Sequence, residues 1–223
     1  MPDFALLRKN MVESQVRTND VTDRRVLRAM LDLPRERFVP AGLQALAYSG
    51  EGLLLPKTAG ADGPRMLPAP VLTARLIQLA NLEPTDRVLE IGAATGYATA
   101  IIAELAATVT GLESDADLAS QATASLAAGR VTNATIKTGA LADGAADDGP
   151  YDVIIVSGMI PEVDMSWHGQ LRVGGRLIAV VADGPLGRAA VFERAGDGFS
   201  RRTVFDAAMP MLPGFARKPA FAL

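Results

Sequence analysis

The stretch Val88-Leu89-Glu90-Ile91-Gly92-Ala93-Ala94-Thr95-Gly96-Tyr97 decides the fold of this chain. It is typical of an apolar strand that ends near an acid, followed by a turn of small residues and the start of a helix. Small residues let the backbone approach a ligand closely, and the free N–H groups of the helix N-terminus attract an anion. The stretch therefore predicts a ligand site at the carboxyl end of a strand in an α/β protein.

Strands and helices alternate along the chain from Asp86 onward. The predicted strands are Arg87–Ile91, Val109–Glu113, Ala134–Lys137, Tyr151–Ser157 and Arg176–Val181. The predicted helices are Tyr97–Ala107, Asp117–Ala127 and the weakly helical Glu162–Leu171. This alternation predicts a doubly wound, mostly parallel sheet with right-handed crossovers. Ala189–Glu193 and Arg201–Phe205 flank a Gly-Asp-Gly turn and predict a C-terminal β-hairpin, with an irregular tail beyond it.

The first part of the chain predicts a helical extension and a loop. Apolar residues recur at helical spacing in Asn10–Arg17, in Val21–Leu31 and again from Val71. Ser49–Pro70 is rich in Gly and Pro, which excludes regular helix and central strand, and a loop of this length is usually a binding loop or disordered. We expect residues 1–85 to pack on a core formed by residues 86–223, as one structural unit.

Composition narrows the possible functions. The 223 residues suit one α/β domain, and the absence of Cys excludes disulfides, thiolate zinc sites and cysteine nucleophiles. A net charge of −3 without a long Lys/Arg run argues against nucleic-acid binding. No apolar run reaches membrane-spanning length, and the first residues lack the apolar segment of a signal peptide. We expect a cytoplasmic monomer or weak homodimer that binds neither nucleic acid nor membranes.

The turn after Ile91 favours S-adenosylmethionine (AdoMet) over a dinucleotide. A dinucleotide site needs G-x-G-x-x-G, whose second Gly lets the backbone meet a pyrophosphate, whereas Ala94 holds the middle position here. AdoMet has no pyrophosphate, and its methionine carboxylate suits the helix N-terminus. Glu90 would face the cationic amino-acid end of the cofactor through water. A tight turn without any ligand is the remaining alternative.

Two further strand ends extend the predicted cofactor site. Glu113, followed by Ser114, lies about 20 residues after the turn, where an acid accepts hydrogen bonds from ribose hydroxyls. Gly139-Ala140-Leu141 follows the third strand and would border the adenine. The complete predicted set is Glu90, Gly92, Ala93, Ala94, Thr95, Gly96, Tyr97, Glu113, Ser114, Gly139, Ala140 and Leu141.

From Asn10 to about Val181 the chain resembles the protein-L-isoaspartate O-methyltransferases. The matching segments are Met11–Arg17, Arg24–Met30, Pro34-Arg35-Glu36-Arg37-Phe38-Val39-Pro40, Ala47-Tyr48, Gly149–Val156 and Leu171–Leu177. The resemblance implies the Rossmann-like fold of AdoMet-dependent methyltransferases, with AdoMet as cofactor and S-adenosylhomocysteine as product. It also implies that the partner is a protein or peptide with a damaged aspartyl or asparaginyl site. The methyl group would go to its isoaspartyl carboxylate, which starts repair through a succinimide.

The substrate loop departs from this family's pattern. The family's loop reads Gly-Gln-Thr-Ile-Ser-Gln-Pro or close to it, and the aligned Pro64–Pro70 has Met66 in place of Thr and Pro68 in place of Ser. Neither residue supplies a hydroxyl. Arg65, Met66, Leu67 and Pro68 are the candidates for the acceptor site. Arg65 can hold a carboxylate in a bidentate pair, although a solvated loop charge is the simpler expectation.

The substitutions predict weak or absent isoaspartyl methylation. Losing two hydrogen-bond donors to the carboxylate would lower the rate by about two to four orders of magnitude. A relative that binds AdoMet without catalysis, as a sensor or protein partner, is the alternative function.

The remaining polar residues predict no additional site. His168 is expected to be a surface or packing residue, and Ser157 has no visible His–Asp partnership for a hydrolase. Asp143, Asp147 and Asp148 lack the ligand spacing of a calcium loop, so no metal site is predicted.

Overall fold

The computed structural model describes residues 2–56, 58, 63–184 and 186–215. Three helices precede the main sheet: α1 (Phe4–Asn10), which continues as a π-helix over Met11–Val16, then α2 (Arg24–Asp32) and α3 (Pro70–Ala80). Short 3₁₀ helices span Arg35–Phe38 and Ala41–Leu46. The predicted helical extension is therefore present. Asp23 caps α2 by accepting the Arg25 N–H at 2.8 Å, and Pro70 occupies the first turn of α3, where its missing N–H costs nothing.

The Gly- and Pro-rich segment before α3 contains a small antiparallel ribbon. Strand β1 (Leu53–Leu54) pairs with β2 (Met66–Leu67), with Leu53 opposite Leu67. Both of these leucines are buried, and burial of their side chains stabilises a pairing that the loop composition does not predict.

The main sheet lies in the second part of the chain, where the described residues form seven strands. They are β3 (Arg87–Ile91), β4 (Thr108–Glu113), β5 (Ala134–Thr138), β6 (Tyr151–Ile160), β7 (Leu171–Asp183), β8 (Leu186–Ala195) and β9 (Gly198–Ala207). Their order is β5-β4-β3-β6-β7-β8-β9. The first five in this order are parallel, and β8 and β9 are antiparallel to their neighbours. The predicted mostly parallel sheet with a C-terminal hairpin is confirmed.

Helices α4 (Tyr97–Ala103) and α5 (Ala116–Ala128) connect the first strands. Helix α4 ends earlier than the predicted Ala107, because the Ala107 N–H donates to the Asp86 carbonyl at the start of the sheet. The predicted weak helix before β7 is a 3₁₀ helix over Met165–Gln170, and 3₁₀ helices also span Leu141–Asp143 and Ala146–Asp148. No helix in the described part of the chain is long and apolar enough to cross a membrane.

The N-terminal helices share one apolar core with the sheet. Met11, Met30 and Phe38 belong to the same buried cluster as Val88 and Val153 of the central strands. The division of the chain at residue 86 stays a prediction.

The strand order positions a site at the carboxyl edge of the sheet. From β3 the chain proceeds outward to β4 and β5 and then returns to β6 on the other side of β3. Ligands of open α/β sheets bind at such a switch point, outside the carboxyl ends of the strands.

Candidate functional site

The turn after β3 places its backbone at this switch point. Gly92 and Gly96 have φ values of +87° and +88°, and Ala94 has a φ of +50°. These left-handed conformations suit glycine and strain Ala94. A Cβ at Gly96 would lie 3.2 Å from the Ala122 Cβ, so glycine here also lets α4 approach α5. Every residue from Gly92 to Tyr97 is buried.

Glu113, at the end of β4, organises the turn from the neighbouring strand. Its side chain is 0% exposed, and its Oε2 accepts the Ala94 N–H at 2.7 Å. Its Oε1 accepts the Ser114 N–H at 2.9 Å and the Asp115 N–H at 3.2 Å. The predicted ribose-binding acid therefore lies beside the predicted methionine-binding turn.

Arg65 forms a bidentate ion pair with Glu113. Arg65 Nη2 lies 2.5 Å from Oε2 and Arg65 Nε lies 3.1 Å from Oε1. Arg65 is 5% exposed, so the expectation that it is a solvated loop charge is wrong. Burial of a guanidinium is unfavourable unless its N–H groups find acceptors, and the carboxylate of Glu113 provides charged ones.

A second side chain, from the segment after β9, covers the turn. A Cβ at Gly92 would lie 3.2 Å from Leu212 Cδ2 and 3.4 Å from Arg65 Nη2. The Leu212 N–H donates to the Met159 carbonyl at 2.8 Å, and the Met159 N–H donates to the Pro210 carbonyl at 3.2 Å. The expected irregular tail is thus bridged to the end of β6, so that the substrate loop and the tail close over the turn from two sides.

Glu90, in β3, lies below the turn and is completely buried. The Thr99 hydroxyl donates to its Oε2 at 2.5 Å and the Ser157 hydroxyl donates to its Oε1 at 2.6 Å. Burial raises the pKa of Glu90, and the two hydroxyl donors partly oppose this shift. Both carboxylate oxygens of Glu90 thus have partners within the protein. The expected contact of Glu90 with the cofactor through water stays a prediction.

The predicted adenine side of the site is more open than the turn. Ser114 and Gly139 are half-buried, Ala140 is exposed and Leu141 is buried. The Gly139 N–H donates to the Glu113 carbonyl at 3.0 Å, which joins the ends of β4 and β5.

In the substrate loop, Arg65 is the candidate residue that lines a cavity. This cavity, of about 510 Å³, is bordered by Leu43, Leu54, Leu55, Pro56, Gly63, Pro64, Arg65 and Asp115. The Asp115 carboxylate is engaged by the Asp117 and Leu118 N–H groups, at 3.0 and 3.1 Å, and by the Thr58 hydroxyl. Among the described residues that line this largely apolar cavity, Arg65 supplies the cationic group, next to the edge where the cofactor is predicted to bind.

The other candidate loop residues have structural partners. The Met66 thioether packs on Gly52, where a Cβ would lie 2.6 Å from the sulfur, and Leu67 is in the core. The Pro68 carbonyl accepts a hydrogen bond from Arg35 Nη2 at 2.7 Å.

Arg35 supports the site from beneath, and the sequence did not single it out as functional. It is 0% exposed, donates to the Ala47 carbonyl at 2.9 Å and lies 4.6 Å from the Tyr97 ring centroid. Burial lowers the pKa of Arg35. The only sequence signal is its position in the Pro34–Pro40 segment. Arg35 links the substrate loop to the first residue of α4.

His168 and Asp148, two polar residues outside the predicted site, have structural partners. His168 packs edge-on against Phe199 with ring centroids 5.3 Å apart, as expected of a packing residue. Asp148 pairs with Lys137 at 2.7 Å.

The residue types at the edge fit AdoMet. Glu113 lies at the end of β4, where an acceptor for ribose hydroxyls is predicted, and the buried Thr95 hydroxyl has no hydrogen-bond partner among the described residues. The left-handed Gly92 brings backbone to the edge. The groups that fill the space over Gly92 are side chains from a loop and a tail rather than from the sheet, so they can be displaced without disrupting it.

The doubly wound sheet with its final antiparallel pair has the Rossmann-like fold of the AdoMet-dependent methyltransferases, and the family match of the chain places it in this class. Residues 7–209 match the family model described as "Protein-L-isoaspartate(D-aspartate) O-methyltransferase (PCMT)". The chain belongs to the protein-L-isoaspartate O-methyltransferase family.

Curated relatives cover nearly the whole chain. The protein-L-isoaspartate O-methyltransferase of Koribacter versatilis is 36% identical over 203 residues, which are 91% of this chain and 88% of the relative. That of a Roseiflexus species is 34% identical over 215 residues, covering 96% and 95%. The family's members are AdoMet-dependent transferases, so the predicted enzyme class and cofactor are confirmed.

Solved structures show the same fold. One protein-L-isoaspartate O-methyltransferase superposes with a TM-score of 0.82 at 23% identity, covering 93% of this chain and 66% of that one. A Plasmodium falciparum structure described as a beta-aspartate methyltransferase in complex with S-adenosyl-L-homocysteine has a TM-score of 0.73 at 18% identity, covering 95% and 99%.

Proposed function

We propose that this chain transfers the methyl group of AdoMet to a carboxylate of a protein or peptide, with an isoaspartyl residue as the acceptor. The observation that carries this proposal is the pair of Glu113 and Arg65 at the carboxyl edge of the sheet. It places an acid suited to ribose hydroxyls beside a guanidinium suited to a carboxylate, and the guanidinium lines an adjoining cavity.

The cofactor would be held by the turn from Gly92 to Tyr97, by Glu113 and Ser114, and by the Gly139–Leu141 edge. When bound, AdoMet supplies a methyl group on a sulfonium, which is an activated donor. The acceptor carboxylate is ionised at neutral pH, so the protein needs no general base. The task of the chain's own residues is to align the acceptor and exclude water, which the buried turn supports.

A labelled-methyl assay tests this function. An isoaspartyl peptide is compared with its aspartyl counterpart, and the natural protein is compared with the double variant Met66→Thr/Pro68→Ser. Serine keeps the carbonyl that accepts Arg35, so the loop anchor survives the change. We expect transfer to the isoaspartyl peptide that is slower than in relatives with both hydroxyls, and faster transfer by the double variant. No transfer by either protein would contradict the proposal.

The second candidate is an AdoMet-binding family relative without catalysis, acting as a sensor or protein partner. The covering of Gly92 by Arg65 and Leu212 favours it, because both side chains occupy the edge where the cofactor is expected. Calorimetric binding of S-adenosylhomocysteine, combined with no methyl transfer to isoaspartyl peptides, would select this candidate.

We propose a cytoplasmic monomer or weak homodimer whose partner is a protein or peptide with a damaged aspartyl or asparaginyl site, without nucleic-acid binding. The net charge of −3 supports the last point. Light scattering over a range of protein concentrations measures the oligomeric state.

A further inference from the structure

We propose that Arg65 is the residue that binds the acceptor carboxylate, and that Arg65 stays ion-paired with Glu113 until the cofactor binds. This inference rests on the proposed function, because it assigns the acceptor of the same site. It concerns a residue that replaces the Gln of the family's loop pattern in this chain.

The first step is that the Glu113 carboxylate cannot accept hydrogen bonds from Arg65 and from a ribose at the same time. A carboxylate offers about four lone-pair sites. Glu113 already receives three backbone N–H groups, from Ala94, Ser114 and Asp115, in addition to two N–H groups from Arg65. The backbone donors belong to the turn and to the end of β4, whereas Arg65 comes from a separate loop. Ribose hydroxyls must therefore displace Arg65.

The second step is that a displaced Arg65 needs other acceptors for its N–H groups, and an anion also compensates its charge. The side chain is 5% exposed, and a buried unpaired charge is strongly unfavourable. Asp115, the acid among the described residues that line the same cavity, is already engaged by Thr58 and by two N–H groups at the start of α5. An incoming carboxylate in the cavity supplies the missing partner, in the bidentate geometry that a guanidinium favours.

The third step concerns position. Arg65 lines the cavity while its Nη2 lies 3.4 Å from the Cβ position of Gly92, so the guanidinium borders both the acceptor space and the cofactor edge. A small movement exchanges one carboxylate for the other. Because the cofactor and the acceptor compete for opposite members of one ion pair, each must strengthen the binding of the other by the same factor.

Calorimetry with S-adenosylhomocysteine and an isoaspartyl peptide tests the inference. The proteins are the natural chain, Arg65→Gln, Arg65→Lys and the control Arg28→Gln, which removes an exposed arginine that pairs with Asp32 on α2. Thermal melts establish that each variant is folded.

We expect Arg65→Gln to bind S-adenosylhomocysteine about 10–100-fold more tightly and the peptide about 10–100-fold more weakly, the scale of lost charge-assisted hydrogen bonds. Saturating S-adenosylhomocysteine should strengthen peptide binding to the natural chain but not to Arg65→Gln. Arg65→Lys keeps the charge and loses the bidentate geometry, so its affinities for S-adenosylhomocysteine and for the peptide should lie between those of the natural chain and Arg65→Gln. Arg28→Gln should match the natural chain.

Unchanged or weaker S-adenosylhomocysteine binding by both Arg65 variants would overturn the inference, since Arg65 would then not compete with the ribose. Unchanged peptide binding by both variants would overturn it as well. Absence of S-adenosylhomocysteine binding to every protein would instead overturn the proposed function, and the inference with it.

Discussion

Replacing Leu212 by Ala is expected to weaken the fold and strengthen cofactor binding. Leu212 is 2% exposed and packs on Gly92 and Gly158, and its backbone holds the tail to Met159. The methionine end of AdoMet is predicted to meet the same turn. Binding then requires this side chain to leave its buried position.

The magnitude follows from that burial. Removing a Leu side chain from water contributes about 1.5–3 kcal/mol, and the natural protein loses this amount when the cofactor displaces Leu212. Leu212→Ala should therefore bind S-adenosylhomocysteine about 10–100-fold more tightly. The same substitution should lower the free energy of unfolding by about 2–3 kcal/mol, toward the low end for buried leucines, because the tail can collapse onto the site.

Isothermal titration calorimetry and urea denaturation measure the two effects. Leu82→Ala is the matched control, because Leu82 is also 2% exposed but precedes β3 at the opposite edge of the sheet. The control should lose stability without a change in S-adenosylhomocysteine affinity. Equal affinities for the natural protein and Leu212→Ala would refute the reasoning, since Leu212 would then not occupy the cofactor's space.

Three other substitutions test the supports of the site. Ala94→Leu should abolish S-adenosylhomocysteine binding while the far-UV circular dichroism stays native; normal binding would mean that the site is misplaced. Arg35→Met should lower the free energy of unfolding by about 2–4 kcal/mol, because the carbonyls of Ala47 and Pro68 lose charged donors, and a urea-measured loss below about 1 kcal/mol would contradict this. Burial raises the pKa of Glu90, so the folded protein keeps the proton at pH values where the unfolded chain has already released it. The natural protein should therefore lose stability relative to Glu90→Gln as the pH rises above 4.5, the ordinary pKa of a Glu side chain. If the free energies of unfolding of these two proteins change in parallel with pH, ionisation of Glu90 does not cause the loss of stability.

The sequence by itself determined the sheet, its mostly parallel character and the edge where the cofactor residues meet. These features follow from local patterns: apolar runs, small-residue turns and helical periodicity recur within short segments. The sequence alone predicts that Gly92 and Glu113 lie close together, because parallel strands place their carboxyl ends at one edge of the sheet.

The tertiary structure alone decided which side chains occupy that edge. Arg65 lies 48 residues before Glu113, and Leu212 reaches Gly92 from the far end of the described chain. A charged loop residue and a leucine in a Pro-rich tail carry no local signal of such contacts. Their partners are set by how the loop, the tail and the sheet pack together, since a buried charged group needs acceptors or an opposite charge and a buried apolar side chain needs a space of its own shape.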